Sequence, residues 1–550
     1  MLGAAWRGTA PLPLSMSTSN ESTADPGFRW WKLLGRYQWF VLVVASLGWL
    51  LDCMDQQLFN LARVPAMKDL LAAGAGGRAP TPAEVGEFGG YATSIFLLGW
   101  ATGGLIFGVL GDRWGRAKTM LVTILLYSGC TGLSALATHF WDFALFRFIT
   151  GLGVGGEFAV GVSLVAEVMP SRARPYALSL LQALSTVGNI TAAMVSMTLG
   201  QLEQSGVGGK LLGLSAWRWM FLVGALPAIL VVFVRRGLKE PEVWQKTRAT
   251  AGKTLGDYGE LFGNPRWKTP ASIGALVLVA GILVAFLAPL DAVQNLFGWG
   301  KDAKFAKHGV VAGFACVAFV FGLWTVFGGG GDTRYRGRAV VGLLLALSGV
   351  IGVWGIGFFS FDLVRSVLEK KFVADHVAKE LIPGRLTFAA GVTSMIQNLG
   401  SFFGVYGFGL LAQRVGRRPA FAAALLAAMG STILVFSMLR SYSDFWMIPL
   451  MGFGQLSLFG GYALYFPELF PTRLRSTGTS FCYNVGRFVA ASGPAALGIL
   501  TGVVFKDKAE PLRWAGVTMC GVFLIGMVAL PFAPETRGEP LPEEDQGVAH

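Results

Sequence analysis

The sequence predicts an all-α integral membrane protein of two related six-helix halves with two extra helices between them, fourteen transmembrane helices in all. Three observations predict it. Of the 550 residues, 53% are hydrophobic and 14% charged, against roughly 25% charged in soluble domains. Apolar runs able to span the roughly 30 Å hydrocarbon layer recur along the chain, and in lipid each must be a helix because its backbone polar groups find no other partners. Finally, "GVLGDRWGRAK" at 108–118 returns 301 residues later as "GLLAQRVGRRP" at 409–419, and "AEVMPSRAR" at 166–174 returns at the same offset as "PELFPTRLR" at 467–475. Gly151 and Gly153 answer Gly452 and Gly454 in the same register. Motifs sharing one offset, each at the same place in a six-span set, point to a duplication.

The elements follow in order. Residues 1–38 read as a cytoplasmic N-terminal tail, polar over the first 27 and without signal-peptide order, with Met16 as an alternative start. The N-terminal half, 39–235, holds spans near 39–62, 88–110, 119–138, 141–167, 175–201 and 217–235. A polar cytoplasmic linker occupies 236–268, and 269–335 carries two inserted spans near 270–290 and 309–327. The C-terminal half, 336–533, holds spans near 338–362, 386–411, 419–438, 444–467, 476–503 and 514–532, before an acidic cytoplasmic tail at 534–550. About 26 Lys and Arg lie on the side of both tails and the linker and about 17 on the other, which places the termini in the cytoplasm. The basic stretch 365–385 opposes this bias and is expected to form a loop with an amphipathic surface helix.

Composition also excludes. The net charge of +13 belongs to cytoplasmic loops and not to a nucleic-acid surface. Five cysteines scattered singly predict no disulfide and no metal cluster, and His139, His308, His376 and His550 form no zinc motif. Gly151, Gly153 and Gly156 satisfy G-x-G-x-x-G, but inside an apolar helix with no strand before it, so they read as helix packing and no cofactor is expected. Gly151 with Gly155, Gly104 with Gly108 and Gly400 with Gly404 are small-residue ridges of the same kind. With no catalytic constellation, the chain is not expected to be an enzyme.

Gly111, Asp112, Arg113, Gly115 and Arg116 resemble the G-x-x-x-D-R-x-G-R-R signature of the major facilitator superfamily, with Gly108 as one alignment of its first glycine and Ala117 departing from its basic run. The stretches 147–174, 217–244 and 467–487 look like the proton-coupled organic-acid and sugar porters, nearest the carboxylate, aromatic-acid and sialic-acid symporters. The resemblance covers nearly the whole chain except about 269–335. It implies a multi-pass transporter of the cell membrane working by alternating access. Within the signature, Asp112 adds nothing to a positive-inside signal and can face helix N-termini or cations across the half interface. Gly111, Asp112, Arg113, Gly115 and Arg116, with Glu167 and the second-copy Arg414, Arg417 and Glu468, are therefore expected to form a cytoplasmic gate. Gln413 replaces the acid in the second copy, so the gate should be asymmetric.

Ionisable residues inside spans are costly and informative. Asp52, Gln56 and Asn60 share one helical stripe with Asp55 beside it, resembling the D-G-x-D of aromatic-acid symporters with Cys53 in place of glycine. Two carboxyls close together in a low dielectric cannot both ionise cheaply, so one can carry a proton. At about 1.5 Å per residue, Asp55 and Arg147 fall at similar depth and Glu157 near the midplane. These four, Asp52, Asp55, Glu157 and Arg147, are the expected proton-coupling set. Arg487, about 16 Å from the inner end of its helix, needs an anion there: Glu157, Glu468 or a substrate carboxylate. Asn484, Asn189 and Gln182 join it as substrate contacts or as helix-packing groups. The expected function is a monomeric secondary transporter that moves a small organic solute, a carboxylate above all, by proton symport. A sugar or polyol porter and a drug-type proton antiporter of the same fold are the alternatives. Its expected partners are the solute, protons and the lipid bilayer.

Overall fold

The computed structural model describes residues 29–74, 78–205, 213–229, 231, 237–251, 255–287, 317–318, 320–331, 333–357, 359–378, 382–490, 497 and 500–542. The N-terminal group of helices is α1 (Arg36–Gly74), α2 (Pro82–Arg113), α3 (Arg116–Ser134), α4 (Phe140–Val168), α5 (Arg174–Ser205) and α6 (Ala216–Gly224). Next come α7 (Glu242–Ala251), α8 (Tyr258–Phe262) and α9 (Lys268–Leu287), then helical turns at 320–327. The C-terminal group is α10 (Arg334–Ile351), α11 (Phe359–Ala374), α12 (Ile382–Val415), α13 (Arg417–Met438), α14 (Met447–Leu469), α15 (Arg475–Ala490), α16 (Pro511–Met519) and α17 (Val522–Ala529). Helices α10 and α11 are one broken helix joined by a π-helical turn at Gly352–Gly357.

Among the described residues eight helices, not fourteen, are long and apolar enough to cross a membrane: 36–74, 84–113, 140–168, 174–202, 334–374, 417–438, 447–469 and 511–532. The chain is thus an all-α, multi-pass membrane protein. The other expected spans are shorter, more polar or only partly described; of the second inserted span, 309–327, residues 309–316 and 319 lie outside the described residues.

Local chemistry sets the helix boundaries. Thr81 and Glu84 form a capping box at the start of α2: the Thr81 hydroxyl accepts the Glu84 N–H at 3.2 Å, and the Glu84 carboxylate accepts the Thr81 N–H at 2.7 Å. The turn from α2 to α3 needs Gly115 at φ 116°, and that from α12 to α13 needs Gly416 at φ 99°, both in the region that disfavours a β-carbon. Each following helix is capped by a distant acid. Glu240 accepts the N–H groups of Ala117 and Lys118, and Glu535 those of Arg417 and Arg418.

The sequence repeat is therefore also a repeat in geometry. Arg116 forks onto Glu167 at 2.8 and 3.2 Å and donates to the Gly111 carbonyl. Its counterpart Arg417 forks onto Glu468 at 2.8 and 3.1 Å and donates to the Ala412 carbonyl. The glycine motif at 151–156 lies wholly within α4; Gly151 rests on the Phe96 carbonyl of α2, as Gly452 rests on the Gln397 carbonyl of α12.

Several boundaries differ from expectation. The helices overrun their apolar cores, α1 reaching Gly74 where the hydrophobic run stops near 62. Residues 365–374 continue α11 and are not a loop. Trp30–Leu33 form a 3-10 turn inside the expected tail, where Trp30 is buried and stacks on Tyr176 of α5 at 6.1 Å. The linker is helical in part and docks on one end of the bundle, the linker end below.

Candidate functional site

At the linker end the two groups of helices meet around Asp112. This fully buried carboxylate accepts the backbone N–H groups of Ser476 at 3.2 Å and Thr477 at 2.8 Å, and the Thr477 hydroxyl at 2.7 Å. Those N–H groups belong to the first turn of α15 and have no intrahelical partner, so the acid caps the helix and meets its dipole. Arg116 completes the cluster at 3.0 Å. Glu167, already bound by Arg116, also takes Arg475 at 2.9 Å, with all three side chains no more than 1% exposed. Arg113 donates to the Leu255 carbonyl of the linker at 2.9 Å. Above Asp112, the Ser480 hydroxyl donates to the Gly104 carbonyl and the Ser480 side chain abuts Gly108, as Ser179 abuts Gly409 at the related position. In the second copy Arg417 holds Glu468 at 2.8 Å. Gln413 has a buried amide nitrogen with no partner, and Arg414 is exposed with no ion pair, among the described residues.

Further into the bundle lies a layer of buried charge. Arg147 approaches Asp55 at 3.8 Å, donates to Ser134, Thr131 and Thr150, and lies 4.7 Å from the Phe221 ring centroid. Asp52 accepts the Gln56 amide at 3.1 Å. Glu157, 1% exposed, accepts the Thr123 hydroxyl at 2.7 Å. Arg487 forms an ion pair with neither Glu157 nor Glu468, the protein partners the sequence suggested. It donates to the Tyr483 carbonyl at 2.6 Å and Asn484 Oδ1 at 3.1 Å, with its guanidinium 3.9 Å from the Trp100 ring centroid and 4.1 Å from that of Tyr483. Arg487 Nε and Nη2 are buried with no hydrogen-bond partner among the described residues.

Between the two groups lies a cavity of about 110 Å³, bounded by Trp49, Cys53, Gln56, Gln57 and Asn60 of α1, Trp100 of α2, and Gln182, Ser185 and Asn189 of α5. Trp354 on the π-helical turn faces it, meeting Trp100 edge-on at 5.4 Å; π turns inside helices recur at functional sites. Ser394, Gln397, Asn398 and Ser401 of α12, Tyr483 and Arg487 of α15, and the less polar Val353, Gly357, Phe361, Leu456 and Phe459 complete the wall. Two hydrogen bonds cross it between the groups, Asn189 to Asn398 at 2.9 Å and Gln57 to Ser394 at 3.2 Å.

Of the expected substrate contacts, Arg487, Gln182 and Asn189 therefore line the cavity. Asn484 does not: it is turned into the packing of α15 on α2 and α4, donating to the Gly155 carbonyl at 3.3 Å and to the Ser480 hydroxyl at 3.0 Å. Sequence reasoning missed Gln57, Gln397 and Asn398. Adjacent amides at 397 and 398 inside an apolar run were a usable signal, because such groups are costly in a span unless partnered.

Comparison with known proteins agrees with this architecture. The chain is 25% identical to a cis,cis-muconate transport protein of Acinetobacter baylyi over 92% of its own length and 96% of that protein. A glucose transport protein of Synechocystis sp. is 36% identical over 26% of this chain and 30% of that one. Among solved structures, the proton:xylose symporter XylE superposes with a TM-score of 0.63 at 16% identity, covering 92% of this chain and 98% of that one, a likeness of fold. A family profile described as the Major Facilitator Superfamily matches residues 45–368. With more than half its length matched, this chain belongs to the Major Facilitator Superfamily: a secondary transporter of a small organic solute by alternating access, and not an enzyme.

Proposed function

We propose that the chain carries a small hydroxyl-bearing solute, of the sugar or polyol kind, in symport with protons across a cell membrane. The lining of the cavity carries this reading. Gln56, Gln57, Asn60, Asn189, Gln397 and Asn398 offer amides, each a donor and an acceptor, beside the faces of Trp49, Trp100 and Trp354. Amides and indole rings suit a neutral solute with several hydroxyls. Arg487 is already engaged by the Tyr483 carbonyl and Asn484 Oδ1. A carboxylate solute is the second reading. It is favoured by the two unpartnered nitrogens of Arg487, which could take a carboxylate bidentately, and by the name of the muconate relative.

Proton coupling follows from charge. Around the cavity the buried acids Asp52, Asp55 and Glu157 outnumber the buried arginines Arg147 and Arg487. Full ionisation would leave one uncompensated negative charge in an apolar interior, and a single bound proton removes it. In this reading 39–235 and 336–533 are the two halves and 269–335 a two-span insertion, giving fourteen helices in a monomer with both tails in the cytoplasm. The linker end is then the cytoplasmic gate, made by Gly111, Asp112, Arg113, Gly115, Arg116 and Glu167 with the second-copy Arg414, Arg417 and Glu468.

The test is uptake into proteoliposomes over a panel of labelled sugars, polyols and carboxylates, with and without an inward proton gradient. Gradient-driven accumulation of a sugar or polyol is expected. Accumulation of carboxylates alone would replace the first reading by the second.

A further inference from the structure

The segment 255–264 lies across the seam between the two groups at the linker end and grips both sides. Toward α2, its Leu255 carbonyl accepts Arg113 Nε at 2.9 Å, and the Tyr258 hydroxyl donates to the Leu105 carbonyl at 3.1 Å. Toward α15, the Gly256 N–H donates to the Arg473 carbonyl at 2.9 Å, Glu260 pairs with Arg473 at 2.7 Å, and Phe262 meets Phe481 edge-on at 5.0 Å. Leu261 and Phe262 are buried in this wedge. Opening the linker end requires α2 and α15 to part, so the wedge must release one of them.

The other end of the wedge is fastened to the helical turns at 320–327. Those turns leave their last carbonyls without intrahelical donors, and the Asn264 side-chain amide supplies one, donating to the Thr325 carbonyl at 2.9 Å and lying 3.4 Å from that of Trp324. Asn264 is 4% exposed, which makes the loss of this bond costly. One turn further, the Gly331 N–H donates to the Gly263 carbonyl at 2.9 Å, and Gly329 packs on the Gly263–Asn264 backbone with no room for a β-carbon. Within the insert, Gly274 of α9 lies against Phe321 closely enough that an added β-carbon would meet its Cβ at 3.0 Å.

We propose that the insert between the two groups is a brace for the closed linker end, holding the wedge 255–264 in the seam through Asn264 and the Gly329–Gly331 segment. Asn264 is then a positioning residue: it touches no solute and acts through the wedge. The proposal goes beyond the transport reading and does not depend on which solute is carried.

Its test needs no solute. Ser476 is fully buried in the seam and its hydroxyl has no partner, so Ser476→Cys, in a background with the five native cysteines replaced, places a thiol that reacts only when the seam opens. In the full-length protein in nanodiscs, Asn264→Ala should raise the rate of maleimide labelling at position 476 about five- to tenfold, the worth of roughly one buried hydrogen bond. Gly329→Ala, which pushes the insert off the wedge from the opposite side, should move the rate in the same direction. The unfolding midpoint of each variant should stay near that of the parent. Unchanged or slower labelling in both variants, with Asp112→Asn in the same background labelling faster, would overturn the brace while leaving the transport reading intact.

Discussion

Asp112 of α2 and Thr477 of α15 are joined by two hydrogen bonds, the carboxylate accepting the Thr477 N–H at 2.8 Å and its hydroxyl at 2.7 Å. One acid thus caps a helix of the opposite group and binds Arg116. Asp112→Asn keeps the shape but loses the charge that meets the helix dipole and the guanidinium, a loss of about 1–2 kcal/mol. The expected outcome is a several-fold lower transport rate, faster labelling of the linker-end seam and unchanged membrane insertion. Gln413→Ala at the related position should stay within about twofold of wild type, since the Gln413 amide nitrogen makes no bond that would be lost. Wild-type transport by Asp112→Asn would reduce the motif to a topology signal.

Topology is tested at positions outside the described residues. If 270–290 and 309–327 both cross, Lys304→Cys should label from the outer face and Asp332→Cys from the cytoplasmic face. Labelling of both from one face would remove the two-span insertion and force a new assignment for the C-terminal half.

Arg487 separates the two solute readings. Arg487→Lys keeps a positive charge and loses the planar fork and its packing between Trp100 and Tyr483. If the solute is a carboxylate held by Nε and Nη2, its KM should rise at least about tenfold, the worth of a charge-assisted bidentate contact. If the solute is held by the amides, KM should change by no more than about threefold, as for a residue beside the contact. Equilibrium binding by calorimetry checks which occurs.

Glu535 gives a pH dependence outside the spans. Burial alone would raise its pKa, but the N–H groups of Arg417, Arg418 and Arg537 and the Arg417 charge together hold it below the usual glutamate value. A carboxyl depressed in the folded state contributes stability that is present above its unfolded value, about pH 4.3, and is lost as pH falls through the folded value. Glu535→Gln should therefore lower the melting temperature at pH 7, by the worth of a helix cap of about 1 kcal/mol, and the gap to wild type should close below pH 4. A gap that persists at low pH would mean that the charge is not what stabilises the α13 turn.

Much of this was legible because membrane insertion and duplication both write long-range rules into local sequence. The 301-residue repeat anticipated that Arg116 and Arg417 would hold equivalent acids, and the depth argument anticipated Asp55 beside Arg147. Helix ends were less legible, because hydropathy stops at the lipid boundary while backbone bonding continues, as in α1 and α11. Asn484 stayed open between solute contact and helix packing, because an amide in a span satisfies the same cost argument whether it faces a solute or, as here, the Gly155 carbonyl. The wedge at 255–264 was invisible to periodicity: its contacts with Leu105 and Arg473 depend on tertiary placement alone.

The central claim is that the buried acids carry the proton that drives the solute. Glu157 is held by Thr123 at 2.7 Å and Asp55 lies beside Arg147 at 3.8 Å, both away from the amides of the cavity wall. The direct measurement compares two modes of transport in proteoliposomes holding Glu157→Gln or Asp55→Asn: accumulation driven by a pH gradient, and exchange of labelled for unlabelled solute with no gradient. The account predicts that accumulation is lost while exchange continues at a rate within a few-fold of wild type. Accumulation that persists in both variants would contradict it.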